Sequence, residues 1–161
     1  MNRGRIFRVL KQSIPATFRL YLGITFLIYG AAKLAMGQFG EPSSEVEAIR
    51  GEGFVLAWSF FGYSRMYEIF IGLGEVIAAI LIMIPRTATL GAIIYFPIIV
   101  NVMMVNYFFD IGVQDLSTVL TVLCAFLLWV DREKLFLIFS STPQLESNAR
   151  EMHVRSTRHV K

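Results

Sequence analysis

Residues 66–84 read MYEIFIGLGEVIAAILIMI, and the fold turns on whether this stretch crosses a membrane despite the carboxylate at Glu75. A spanning helix needs about 20 mainly apolar residues to cross a hydrocarbon core of roughly 30 Å. An acidic residue near the centre costs about 3 kcal/mol, and each large apolar residue returns about 0.5 kcal/mol. From Ile69 to Ile84 eleven residues are Ile, Leu, Val, Phe or Met. The sum favours insertion, so the segment enters the bilayer with its carboxylate aboard.

Three more stretches qualify on the same reasoning, at about 18–36, 88–109 and 113–130. Together with 66–84 they predict an all-α, integral membrane four-helix bundle occupying residues 1–139. The composition agrees. Hydrophobic residues make up 55% of the 161-residue chain and charged residues 17%, against roughly 25% charged in an ordinary soluble domain. Mean hydropathy is +0.59. A disordered chain, a collagenous chain and a disulfide scaffold are all excluded, the last because there is a single cysteine.

Lysine and arginine placement predicts the orientation. Arg3, Arg5, Arg8 and Lys11 precede the first span, Arg86 lies between the second and third, and Arg132 and Lys134 follow the fourth. Four crossings put all of these on one side, with both termini cytoplasmic. The opposite side holds the 37–65 loop, where Glu41, Glu45, Glu47 and Glu52 outnumber Arg50 and Arg65, and the short turn between Asp110 and Asp115. A cleaved signal peptide is the competing reading of the N-terminus, with Ala31-Ala32 as the cleavage mimic; it would leave three spans and upset this charge balance.

The 37–65 loop divides in two. GQFGEPSSEVEAIRGEG is polar and predicts a short helix with Ser44 as N-cap and Glu47 at the capping-box position. FVLAWSFFGY is aromatic but too short to span, which suits an interfacial or re-entrant segment. Residues 140–161 are polar and basic and read as a disordered cytoplasmic tail lying on anionic lipid. His153 and His159 in that tail lack a metal-ligand arrangement.

Charged and amide groups inside spans default to functional candidates. At about 1.5 Å per residue, Lys33 lies ~5 Å below the outer boundary, Glu68 ~3 Å, Glu75 ~13 Å, Asn106 ~5 Å and Asn101 ~12 Å. All five crowd the outer half and form the predicted ligand-binding set. Glu68 and Glu75 share a helix face, and Lys33 is the cation available to pair with one of them. Asn101 and Asn106 lie about 140° apart on their helix, so both are not expected to face one narrow site. Pro97 loosens the helix beside Asn101. Gly23, Gly30 and Gly37 recur every seven residues and read as a packing stripe. There is no CxxC, no intraspan histidine and no phosphate-binding glycine loop, so dithiol redox chemistry, bis-histidine haem and nucleotide chemistry are not expected of this chain.

With these residues in view, the sequence resembles the DoxX-like family of small four-span membrane proteins. The resemblance rests on Gly30-Ala31-Ala32-Lys33-Leu34 closing the first span, Gly72-Leu73-Gly74-Glu75 in the second, and Pro85-Arg86 followed by Thr87-Ala88-Thr89-Leu90-Gly91-Ala92 at the junction with the third. It covers about residues 15–135. It implies a multi-pass protein of the cell membrane, an auxiliary subunit of a quinone-linked redox system, with quinone as the candidate cofactor. Family members have been linked to terminal oxidase and thiosulfate:quinone oxidoreductase complexes, and animal relatives to receptor assembly. The expected partners are the lipid bilayer, a membrane oxidoreductase and a second copy of the chain, but not nucleic acid. The alternative is a non-catalytic binding or transport protein for a small amphiphile, or an assembly factor. The family supplies no agreed catalytic set, so the site residues stand on burial.

Overall fold

The structure is a computed structural model and describes residues 3–139, with side chains described from 13 to 136. The basic segment 140–161, expected to be a disordered tail, lies outside the described residues.

Seven helices and no strand occur among the described residues: α1 (Arg3–Ala35), α2 (Ser44–Arg50), α3 (Glu52–Gly62), α4 (Arg65–Met83), α5 (Ala88–Phe108), α6 (Gln114–Val130) and α7 (Arg132–Phe139). Three of them are long and apolar enough to cross a membrane: Ser13–Ala35 within α1, then α4 and α5. α6 is equally apolar in character but has 17 residues, a rise of about 26 Å. The described residues divide into two units, one ending at Val130 and one beginning at Asp131. In the second, α7 opens with Lys134 Nζ 2.8 Å from Asp131 Oδ1.

Within the first unit α1 packs on α4, α4 on α5, α5 on α6, and α6 back on α1. The connections at 84–87 and 109–113 are short, so consecutive helices run antiparallel. The core fills the half of this ring nearest the α4–α5 turn. Leu22, Phe26, Ala78, Ala79, Ile82, Ala92, Tyr95, Ile99, Leu120, Cys124 and Leu127 are all buried there. Phe26 stacks on Tyr95 with ring centroids 3.6 Å apart, and the Tyr95 hydroxyl donates to the Leu22 carbonyl at 3.3 Å. At that end α4 and α5 touch directly: a Cβ at Gly91 would collide with the backbone of Leu81 and Ile82.

Several boundaries differ from expectation. α1 starts 15 residues before the predicted span (18 against 3) and runs through Pro15. Hydropathy drops at the basic N-terminal residues, but helical hydrogen bonding does not depend on hydropathy. The cap of α2 is Ser43 and not Ser44: Ser43 is extended, and its hydroxyl accepts from Val46 N at 3.4 Å. FVLAWSFFG falls within α3, with Tyr63 as its C-cap, and the 11 residues of that helix rise about 16 Å and cannot span. α3 buries Phe54 and Ala57 against Ile111, which ties it to the α5–α6 turn. Arg50 strengthens that tie by donating to the Ile111 carbonyl and lying over the Phe54 ring at 4.7 Å. Gly37 is not part of the α1 stripe. It follows the helix at φ +80°, a left-handed conformation that favours glycine.

Many large apolar side chains are exposed on the outside of the ring, among them Leu20, Ile24, Ile28, Ile77, Leu90, Val122 and Trp129. An apolar exterior of this extent suits lipid and not water. The structure therefore describes a protein that would contact lipid.

Candidate functional site

Two glycines create the site. A Cβ on Gly30 would stand 2.9 Å from the Gly72 carbonyl oxygen, and one on Gly72 3.0 Å from the Gly30 carbonyl oxygen. The backbones of α1 and α4 thus cross in contact, as small residues permit. Each glycine also receives the side chain one turn along the other helix: Glu75 Cβ lies over Gly30 and Lys33 Cβ over Gly72. Helical side chains lean toward the N-terminus of their own helix. Since α1 and α4 are antiparallel, Lys33 leans down toward Glu75 while Glu75 leans up toward Lys33.

The result is a bidentate ion pair. Lys33 Nζ lies 2.8 Å from Glu75 Oε2 and 3.1 Å from Oε1, and the two side chains are 6% and 2% exposed. The ammonium also sits 5.5 Å from the Phe39 ring centre and 5.8 Å from that of Tyr29, within cation–π range. Burial of two charges is offset here by contact geometry and aromatic faces, the conditions under which such a pair is tolerable.

Glu68 is engaged elsewhere. Its Oε1 accepts from the backbone N–H groups of Gln38 and Phe39, the latter at 3.1 Å. Its Oε2 accepts from Arg65 at 2.7 Å. Arg65 in turn donates to the carbonyls of Lys33 at 2.7 Å and Leu34 at 2.8 Å, two of the orphan acceptors at the C-terminus of α1. Glu68 and Arg65 therefore shape the turn that carries Gln38 and Phe39. Of the two pairings open to Lys33 in the sequence, the structure forms the one with Glu75.

Above the filled core, between α1, α4, α5 and α6 and beneath α3, lies a cavity of about 570 Å³. Phe39, Trp58 and Phe61 wall its α3 end, Ile71, Gly74 and Glu75 come from α4, Ile94, Pro97, Ile98, Asn101 and Asn106 from α5, and Leu116, Ser117 and Leu120 from α6. At Gly91 an added Cβ would strike the backbone of α4, whereas at Gly74, on the cavity wall, it would meet only Ile98 Cδ1 at 3.8 Å. Its walls are largely apolar. Polar groups enter at the Lys33–Glu75 pair, at Gln38, Ser117 and at the two asparagines.

Of the predicted set, Lys33, Glu75, Asn101 and Asn106 line this one cavity, and Glu68 does not. Both asparagines line it, since the cavity is not narrow and takes side chains from two faces of α5. Asn101 is exposed and Asn106 buried. Sequence reasoning missed Arg65, Gln38, Trp58 and Gly74. Arg65 was within reach, since its i, i+3 spacing to Glu68 places the two on one helix face.

No family model matches the chain, and no solved structure does. The uncharacterized protein YwoB of Bacillus subtilis (strain 168) is 58% identical over 144 residues, which cover 89% of this chain and 94% of the relative. Similarity of that depth along nearly the whole of both chains shows common descent, and the chain belongs to the family of Bacillus subtilis YwoB.

Proposed function

We propose that this protein is a four-span membrane bundle with both termini cytoplasmic, and that its cavity binds a small amphiphile without chemical conversion. One observation carries the reading: a 570 Å³ space whose walls are aliphatic and aromatic but whose edge holds a buried, bidentate Lys33–Glu75 pair. Ligand sites of about 300–1,000 Å³ with apolar walls and a few convergent polar groups are the usual form of a small-molecule pocket. The basic segments assigned to the cytoplasm would set the cavity in the outer leaflet half, where a lipid-soluble ligand partitions.

A quinone-linked redox role remains a second proposal, in keeping with the DoxX-like resemblance. Flat rings at the cavity, Phe39 and Trp58 with centroids 5.3 Å apart, favour an aromatic head group. In this reading the protein is an auxiliary subunit that presents quinone to an oxidoreductase partner.

Native mass spectrometry of gently extracted protein tests the first reading. Wild-type protein should carry a bound amphiphile. Gly74→Phe, which places a ring in the cavity at a position with room for its Cβ, should lose that mass while still folding. Equal ligand occupancy in the two proteins would refute cavity binding. Copurification of an oxidoreductase together with a quinone would favour the second reading.

A further inference from the structure

Two buried acceptors on the cavity wall make no hydrogen bond: Gln38 Oε1 and Asn106 Oδ1. Asn106 is 4% exposed, and its amide nitrogen donates to the Val102 carbonyl at 2.7 Å. That bond orients the amide. Turning it over would set oxygen against oxygen, so the unpartnered atom of this cavity-lining residue is an acceptor. Nearly all buried polar atoms in proteins find partners, and an exception calls for one.

The charge at the site argues in the same direction. Lys33, whose ammonium is the cation at the cavity, has Nζ within hydrogen-bond distance of both oxygens of Glu75. The pair is neutral as a unit. A carboxylate or phosphate arriving there would meet the Glu75 carboxylate, and it would bring acceptors to Asn106 Oδ1, which needs a donor.

We infer that the ligand is an uncharged amphiphile whose head carries hydroxyl or N–H donors, held by Asn106 Oδ1 with the Gln38 amide beside it, and with its tail along Ile94, Ile98 and Leu120. The inference rests on the amphiphile-binding reading of the cavity and adds the chemistry of the head. It favours polyol or hydroquinone heads over fatty acids, phospholipid phosphates and oxidised quinones, whose heads offer only acceptors.

Three probes with one tail and different heads separate these cases: 1-monooleoylglycerol (two hydroxyl donors), methyl oleate (acceptors alone) and oleate (an anion). Binding to the full-length protein in nanodiscs is read by thermal shift and by competition with a fluorescent lipid. 1-Monooleoylglycerol should bind about tenfold more tightly than either of the others, the worth of one or two buried hydrogen bonds. Asn106→Leu should erase that preference and leave binding of methyl oleate unchanged. If Asn106→Leu does not fold, the ranking of the three probes on wild-type protein decides the matter. Equal binding of all three, or a preference for oleate, would overturn the head-group inference while leaving the amphiphile reading intact. Absence of binding by every probe would overturn both.

Discussion

At the scale of single residues, the site depends on a charge pair that has left water. Removing one partner of a buried ion pair costs about 3–5 kcal/mol, because the remaining charge stays buried, whereas replacing both by apolar residues is often neutral or better. Glu75→Gln should therefore lower the thermal midpoint of the detergent-solubilised protein sharply. The double substitution Lys33→Met with Glu75→Met should recover most of that loss. Additive losses in this cycle would show that Lys33 and Glu75 do not interact. That Lys33 would pair with Glu68 or Glu75 was legible in the sequence, since opposite charges inside spans seek one another; which of the two was not. Nor was the role of Glu68. Its partners include the backbone N–H groups of Gln38 and Phe39, and a turn's free donors leave no mark on composition.

At the scale of elements, the crossing of α1 and α4 positions the pair. Gly30→Val should force the helices apart, since even a Cβ there would stand 2.8 Å from Val76 Cγ2; overpacking of this kind costs about 1–3 kcal/mol. Gly74→Ala has ordinary van der Waals room, 3.8 Å to Ile98 Cδ1, and should leave stability near wild type. Chemical or thermal unfolding of the two variants side by side checks the contrast, and equal destabilisation would contradict it. The Gly23 and Gly30 spacing marked this face correctly in the sequence. Gly37, next in the same series, is a turn residue at φ +80°, because helix α1 ends at Ala35 and a repeat in sequence carries no signal of where its helix stops. The cavity itself was not legible. It comes from how the helices pack around Gly74, where a Cβ has room, a matter that hydropathy does not encode.

At the scale of the whole molecule, the proposed topology sets the 37–65 segment and the α4–α5 turn on opposite sides of the bilayer. Ser44 and Arg86 are both exposed, and the native Cys124 is buried, so cysteines introduced at those positions report on topology with a silent background. In intact cells a membrane-impermeant maleimide should label Ser44→Cys directly, and Arg86→Cys only after permeabilisation. Labelling of both from one side would contradict four crossings. The apolar exterior and the long helices were readable from hydropathy. The placement of four polar residues around one space required the ring of helices to be closed.

The claim on which the rest depends is that the space beneath α3 is occupied by a ligand. A high-resolution density map of the protein in a native-lipid nanodisc measures this directly. The account predicts elongated density running from Asn106 and Gln38 down between α4 and α5, with Lys33 and Glu75 still paired beside it. A cavity closed by inward movement of Trp58, Phe61 or Ile98, with no density between the helices, would contradict it.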